Sequence, residues 1–102
     1  MKKLGDILTG PETWCRHYLG RDANGDSVEG DDPKAVQRCL LGALQALSNK
    51  DEDAMTASYN LMHEITLRRF KVGIVDANNF RAEWPQIAEM VQEFDERRAA
   101  KC

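Results

Sequence analysis

The chain has 102 residues, 42% of them hydrophobic and 30% charged, with a formal net charge of -3. That length gives one domain, residues 1–102, able to bury roughly 60–70% of its unfolded surface without staples; the acidic balance argues against a direct nucleic-acid binder, which carries a basic face. No apolar run approaches the roughly 18–20 residues that span a bilayer, and Asp6 interrupts Met1-Lys2-Lys3-Leu4 before a signal-peptide core can form, so no membrane role is expected and the cytoplasm is the expected location.

Leu4, Ile7 and Leu8 have helical spacing, and Gly10-Pro11 ends that short segment. Residues 11–20 read two ways. Thr9 and Glu12 have capping-box spacing, Pro11 suits a first turn and Gly20 a stop, which together describe a helix. Trp14, Tyr18 and Val28 around the turn signal Asn24-Gly25 describe a small β-hairpin near residues 14–28, with a helical turn before it. An acidic loop, Glu29–Asp32, follows.

Asp32-Pro33 has the form of a helix start, and Val36, Cys39, Leu40, Ala43, Leu44 and Leu47 repeat at the spacing of one helical face. A central apolar helix is therefore expected over residues 33–47. Gly42 inside it costs about 1 kcal/mol relative to Ala, which requires the close approach of another backbone, within the domain or across a homodimer. Asn49 and Glu52 again have capping-box spacing before a helix over 52–70, with Met55, Tyr59, Met62 and Ile65 as its inner stripe and Gly73 as its stop. Asp76-Ala77-Asn78-Asn79 reads as a turn. The last helix starts near Trp84-Pro85, faces inward with Ile87, Met90, Val91 and Phe94, and places Glu93 outside, four residues before Arg97. Residues 98–102 are expected to fray. The fold class is mainly α (α+β): three or four helices around the central one, with a small hairpin.

Chemistry-bearing motifs are sparse. Asp22-Ala23-Asn24-Gly25-Asp26 opens like a calcium loop, but position twelve is Pro33 where a bidentate Glu is needed. Cys15 and His17, with Cys39 or His63, contain zinc-ligand atoms without the paired spacings of structural zinc sites. Three widely spaced cysteines, Cys15, Cys39 and Cys102, do not make a disulfide framework; Cys39 among leucines reads as a packing residue and Cys102 as a mobile free thiol. No catalytic residue, metal site or cofactor is assigned.

The pattern Trp14-Cys15, Arg21-Asp22-Ala23-Asn24-Gly25, Asp32-Pro33, Cys39-Leu40-Leu41-Gly42-Ala43-Leu44 and a late Asp/Asn turn resembles a family of small bacterial and phage-associated domains of unknown function. The late turn of that family reads Trp-Asn-Asp, whereas this chain has Asp76–Asn79 and lacks the second carboxylate there. The resemblance implies a compact helical domain with no established activity, and it carries over no catalytic residues.

The expected function is that of a non-enzymatic accessory protein acting on a protein partner, with inhibition of a host defence or nucleic-acid machine as its concrete version. The candidate partner-binding residues are Arg21, Asp22, Asp26, Glu29 and Asp31 on the acidic loop and Arg68, Arg69 and Lys71 on a basic helix end, for which dipole complementation is the competing explanation. Asp76, Asn78 and Asn79 form a candidate polar turn. The alternative readings are a small-molecule or metal site built from Cys15, His17, Asp22, Asp76, Asn78 and Asn79, and an oligomeric structural protein.

Overall fold

A computed structural model describes residues 2–100. The expected Cys102 thiol therefore lies outside the described residues. Four helices and a small antiparallel sheet make a mainly α (α+β) domain. No helix among the described residues is long and apolar enough to cross a membrane.

The first residues form a 3₁₀ turn, Leu4–Asp6, whose free amides need acceptors. Asp95, 91 residues from Leu4 and 90 from Gly5, supplies both carboxylate oxygens: Leu4 N donates at 2.8 Å and Gly5 N at 2.9 Å. This clamp seats the fully buried Leu4 in the core. A second 3₁₀ turn, Pro11–Thr13, resolves the ambiguity of residues 11–20. The chain is extended at Trp14, which bridges Arg38, so neither a long helix nor a strand from residue 14 forms there. The hairpin exists but is shorter than expected: β1 (Gly20–Arg21) pairs with β2 (Ser27–Val28). Gly20 starts this strand and stops no helix. Asp22 organises the turn, its Oδ1 accepting from Asn24 N and Asp26 N, and Gly25 takes φ +85° as Asn-Gly turns require.

The expected helix over 33–47 is corrected to α1, Leu40–Ser48. Asp32 does not cap a helix; its Oδ1 accepts from Lys34 N inside a turn. Gln37–Arg38 forms β3, which pairs with the other edge of β1. Arg38 then ties the acidic loop, donating to the carbonyls of Gly30 and Asp32. The helical spacing of Val36 is a coincidence, because that residue is 51% exposed. Cys39 is the N-cap of α1, its Sγ accepting from Gly42 N at 3.3 Å in the manner of a serine. Leu40, Ala43 and Leu44 are fully buried, so the shortened helix still holds the centre of the core.

Helix α2 runs Glu52–Phe70 as expected, but its N-cap is Asp51, with Oδ1 accepting from Ala54 N. Asn49 ends α1 in the left-handed region. The inner face of α2 is Ser58, Leu61, Met62, Ile65 and Thr66; Tyr59 lies outside, stacked on His63. Lys71, at φ +65°, terminates α2 before Gly73 is reached. The expected turn at 76–79 is helical: α3 (Ile74–Asp76) continues into a single π turn, Ala77–Arg81. Helix α4, Trp84–Ala100, buries the four expected residues Ile87, Met90, Val91 and Phe94. Helix α4 includes Arg98–Ala100, and Arg98 reaches Lys2 O at 3.5 Å; the last two residues of the expected frayed tail, 101 and 102, lie outside the described residues.

Glu93 is not a free outer residue. It takes Arg68 and Arg69 from α2, the latter at 2.9 Å, and Arg97 at 3.6 Å; Arg97 also meets Glu64 at 2.7 Å. Burial pushes the Glu93 carboxyl up, but hydrogen bonds from Arg69 and Arg68 outweigh it and hold the group below the usual carboxylate range.

Gly42 explains itself. A Cβ there would lie 1.8 Å from Leu19 O, and a Cβ on Gly30 would lie 2.3 Å from Gly42 O. The start of α1 is thus in direct backbone contact with both ends of the hairpin. Gly42→Ala, which would stabilise an ordinary helix, is expected to destabilise this protein by about 1–3 kcal/mol through overpacking. Urea denaturation of the two proteins measures the difference.

Candidate functional site

The polar turn residues are the ones that the fold brings together with the Trp14–His17 segment. The π turn carries one residue more than an α turn, with Ala82 N donating to Ala77 O at 2.9 Å. That extra residue turns Ala77 and Asn78 inward and Phe80 outward: Asn78 is 1% exposed and Phe80 69%.

Asn78 uses its whole carboxamide. Its Oδ1 accepts from Trp14 Nε1 at 2.7 Å and from Leu40 N at 3.0 Å. Its Nδ2 donates to Cys15 O at 3.1 Å and to Asn79 Oδ1 at 2.9 Å. Leu40 N is a free first-turn amide of α1, so Asn78 helps cap that helix from another element. Asn79 Oδ1 also accepts from His17 N at 2.8 Å. Between them lies Arg16, donating to Asn78 O at 3.4 Å and Ala82 O at 2.7 Å, pairing with Glu83 at 3.2 Å, and lying over the Trp14 ring. Four consecutive residues, Trp14–His17, are therefore fastened to the π turn and its exit.

This fastening holds His17 at φ +72°. A non-glycine residue in the left-handed region costs on the order of 1–3 kcal/mol and persists where surrounding contacts over-determine it. The His17 ring meets Phe80 edge-on at 5.4 Å. Beside them a groove of about 210 Å³ is walled by Tyr18, Leu19, Leu41 and Val75, with Cys39, Asn78 and Asn79 also lining it. Tyr18, Val75 and Phe80 are among the few large exposed hydrophobic residues. The result is an apolar ridge and groove on a rigid polar foundation.

The two thiols near this foundation are chemically quiet. Burial pushes the Cys15 thiol up to about 11, with neighbouring Cys39 adding to the rise and Arg21 opposing it. Burial also raises Cys39, against a lowering hydrogen bond from Gly42. Neither is poised as a nucleophile near neutral pH. Among the described residues, no three His, Cys, Asp or Glu side chains converge as a metal-ligand group.

Of the remaining candidates, Asp76 and Arg21 lie at the ridge and the others lie apart from it or are engaged elsewhere. Arg68 and Arg69 spend their charge on Glu93 and Glu89. Lys71 is an exposed helix-end residue. Arg21 lies over the Tyr18 ring and donates to Gly25 O at 3.3 Å, while Asp22 and Asp26 belong to the hairpin turn. Glu29 and Asp31 border a separate groove of about 490 Å³ with Asp51, Glu52 and Met55. Asp76 is exposed on the ridge itself. From the sequence, Trp14 and Phe80 stand with Tyr59 and Trp84 as aromatics able to anchor a partner, and Arg16 as a possible member of the basic group; that Trp14, Arg16, Val75 and Phe80 come together at one place was not legible there.

No family model matches the chain, and no curated protein or solved structure is significantly similar to it.

Asn78→Ala would strand the Trp14 indole N–H, Leu40 N and Cys15 O in the interior. At roughly 1–3 kcal/mol for each unsatisfied buried group, the variant should lose several kcal/mol in chemical denaturation, far more than a surface Asn60→Ala control. The raised Cys15 thiol predicts an alkaline effect. Its contribution is complete below the ordinary value of 9.0 and is lost as pH rises towards about 11. Denaturation curves across that window should show falling stability, with a shallower fall in Cys15→Ala.

Proposed function

We propose that the protein is a non-enzymatic accessory module of the cytoplasm that acts by binding a protein partner through the ridge of Tyr18, Val75 and Phe80. The observation that carries this reading is Phe80. This phenylalanine is 69% exposed on a turn whose inner side is held by the Asn78 and Asn79 side chains and by Arg16 on the Asn78 and Ala82 carbonyls, so its ring faces away from the core. Its ring is therefore available to a partner that meets this face. Large exposed aromatics beside a groove are the usual anchors of protein interfaces.

The polar chemistry supports a binding role over catalysis. Asn78 has no unused donor, the two thiols are raised and buried, and the ion-paired arginines on α2 serve the packing of α4. Glu29 and Asp31, on their separate groove, offer a second, acidic surface for a larger partner. The resemblance to phage-associated domains supports the version in which the partner is a host defence or nucleic-acid machine that the protein inhibits.

The test is affinity capture from native host lysate with wild-type protein, Phe80→Asp and an Asn60→Asp control. A protein retained stoichiometrically by wild type and control, and lost with Phe80→Asp, is the expected result. Finding no such partner, or one indifferent to Phe80, would count against the reading.

A further inference from the structure

Two cysteines that are remote in sequence are neighbours in the fold. Trp14 and Arg38 form an isolated parallel bridge, and Cys15 N donates to Arg38 O at 3.1 Å. In parallel pairing the residues that follow a bridged pair stand opposite each other, with their side chains on one face. Here those residues are Cys15 and Cys39. Paired strands lie about 4.7–4.9 Å apart, inside the roughly 4.4–6.8 Å between Cα atoms that a disulfide spans. The rise that Cys39 imposes on the Cys15 thiol agrees with this closeness.

Both thiols are free, and each sulfur is held by one weak contact. Cys15 Sγ donates to Tyr18 O at 3.6 Å, and Cys39 Sγ accepts from Gly42 N at 3.3 Å. Rotation about the two Cα–Cβ bonds gives up only these contacts. The bridge is isolated, so no longer ladder holds the sulfurs in place. Access comes from the groove of about 210 Å³ beside the ridge, whose wall includes Cys39. A small oxidant in that groove meets the Cys39 sulfur, with Cys15 next to it.

We infer that Cys15 and Cys39 are a reversible two-electron redox site, which a hydroperoxide closes to an intramolecular disulfide. The Cys39 thiolate attacks one peroxide oxygen, the O–O bond breaks, and a sulfenic acid and hydroxide form. Cys15 then attacks the Cys39 sulfur, the S–S bond forms and the sulfenic oxygen leaves as water. Two electrons pass from the sulfurs to the peroxide, and both thiol protons end in water. A dithiol reductant reverses the step by exchange. Burial penalises the thiolates, so closure is slow at neutral pH and quickens as pH rises. The disulfide carries no charge, so the same burial does not disfavour the product. The new bond closes a loop that contains β1, β2 and β3 and ties the N-terminal segment to the N-cap of α1. Such a loop constrains the unfolded chain, so the oxidised protein resists unfolding. In a reducing compartment disulfides of this kind are transient and redox-sensing.

The test is hydrogen peroxide treatment of the folded full-length chain in a Cys102→Ser background. Thiol titration after denaturation should fall from two groups to none, and the intact mass should drop by two hydrogens. A non-reducing peptide map should show Cys15 joined to Cys39 within a monomer. The rate should rise roughly tenfold per pH unit between about pH 7 and pH 9, following the thiolate fraction. The linked monomer should keep its native circular dichroism, unfold at higher urea concentration than the reduced protein, and return to it with dithiothreitol. Cys15→Ala in the same background, checked for folding by circular dichroism, should stop at the sulfenic acid and take a dimedone label on Cys39. Retention of both thiols across the pH series, disulfides found only between chains, or a linked form without native circular dichroism overturns the inference. A Cys15→Ala protein with no dimedone on Cys39 overturns the assigned first attack.

Discussion

The carboxamide of Asn78 joins three parts of the chain that are remote in sequence. It holds the Trp14 indole and the Cys15 carbonyl of the N-terminal segment, the first amide of α1, and its own neighbour Asn79. Only a carboxamide can do this, because it presents two acceptor sites on one atom and two donors on another. A carboxylate of the same shape would lose both donor bonds and bury a charge. In a low-dielectric interior a fully satisfied group of this kind specifies one arrangement, and any slip of the π turn or of the Trp14–His17 segment leaves several groups unpaired at once.

Two further constraints make that junction rigid. On one side, Leu19, Gly42 and Gly30 press backbone against backbone, so the hairpin and the start of α1 move as one body. On the other side, the network of Glu64, Arg68, Arg69, Glu93 and Arg97 binds α2 to α4, while Asp95 binds the first turn to α4. Surface ion pairs contribute little individually; their value here lies in angle and register, since the apolar contacts of Met62, Ile65, Met90 and Phe94 supply the burial. The ridge at 75–80 thus sits on a foundation fixed from both sides.

Rigidity separates this surface from ordinary exposed apolar residues. A scattered surface Leu needs no explanation. Phe80 differs because the π turn that exposes it is also what buries Asn78: the same inserted residue sends one side chain in and the other out. The strain at His17 belongs to the same arrangement, through the bond from its amide to Asn79. Core stability and surface presentation therefore share one structural origin.

Helices α2 and α4 were legible from the amino-acid order, because amphipathic spacing, Pro85 in the first turn and basic last turns are local signals. The Asn24-Gly25 turn and the close packing at Gly42 were legible for the same reason: one needs a positive φ and the other a missing Cβ. The start of α1 was not. Residues 33–38 carry a helical spacing, yet Gln37–Arg38 finds its hydrogen bonds on β1, fifteen or more residues away, and a pattern search along the chain has no access to those partners. Asp76–Asn79 failed similarly: turn-forming residue types became helical because Asn78 satisfies groups from two distant segments, Trp14–Cys15 and the start of α1. Local periodicity and turn chemistry thus settled which long elements exist and that the domain is mainly helical. Where the polar residues go, and which aromatic is left facing outward, was decided only when long-range hydrogen bonds and backbone contacts chose among conformations that are locally close in energy.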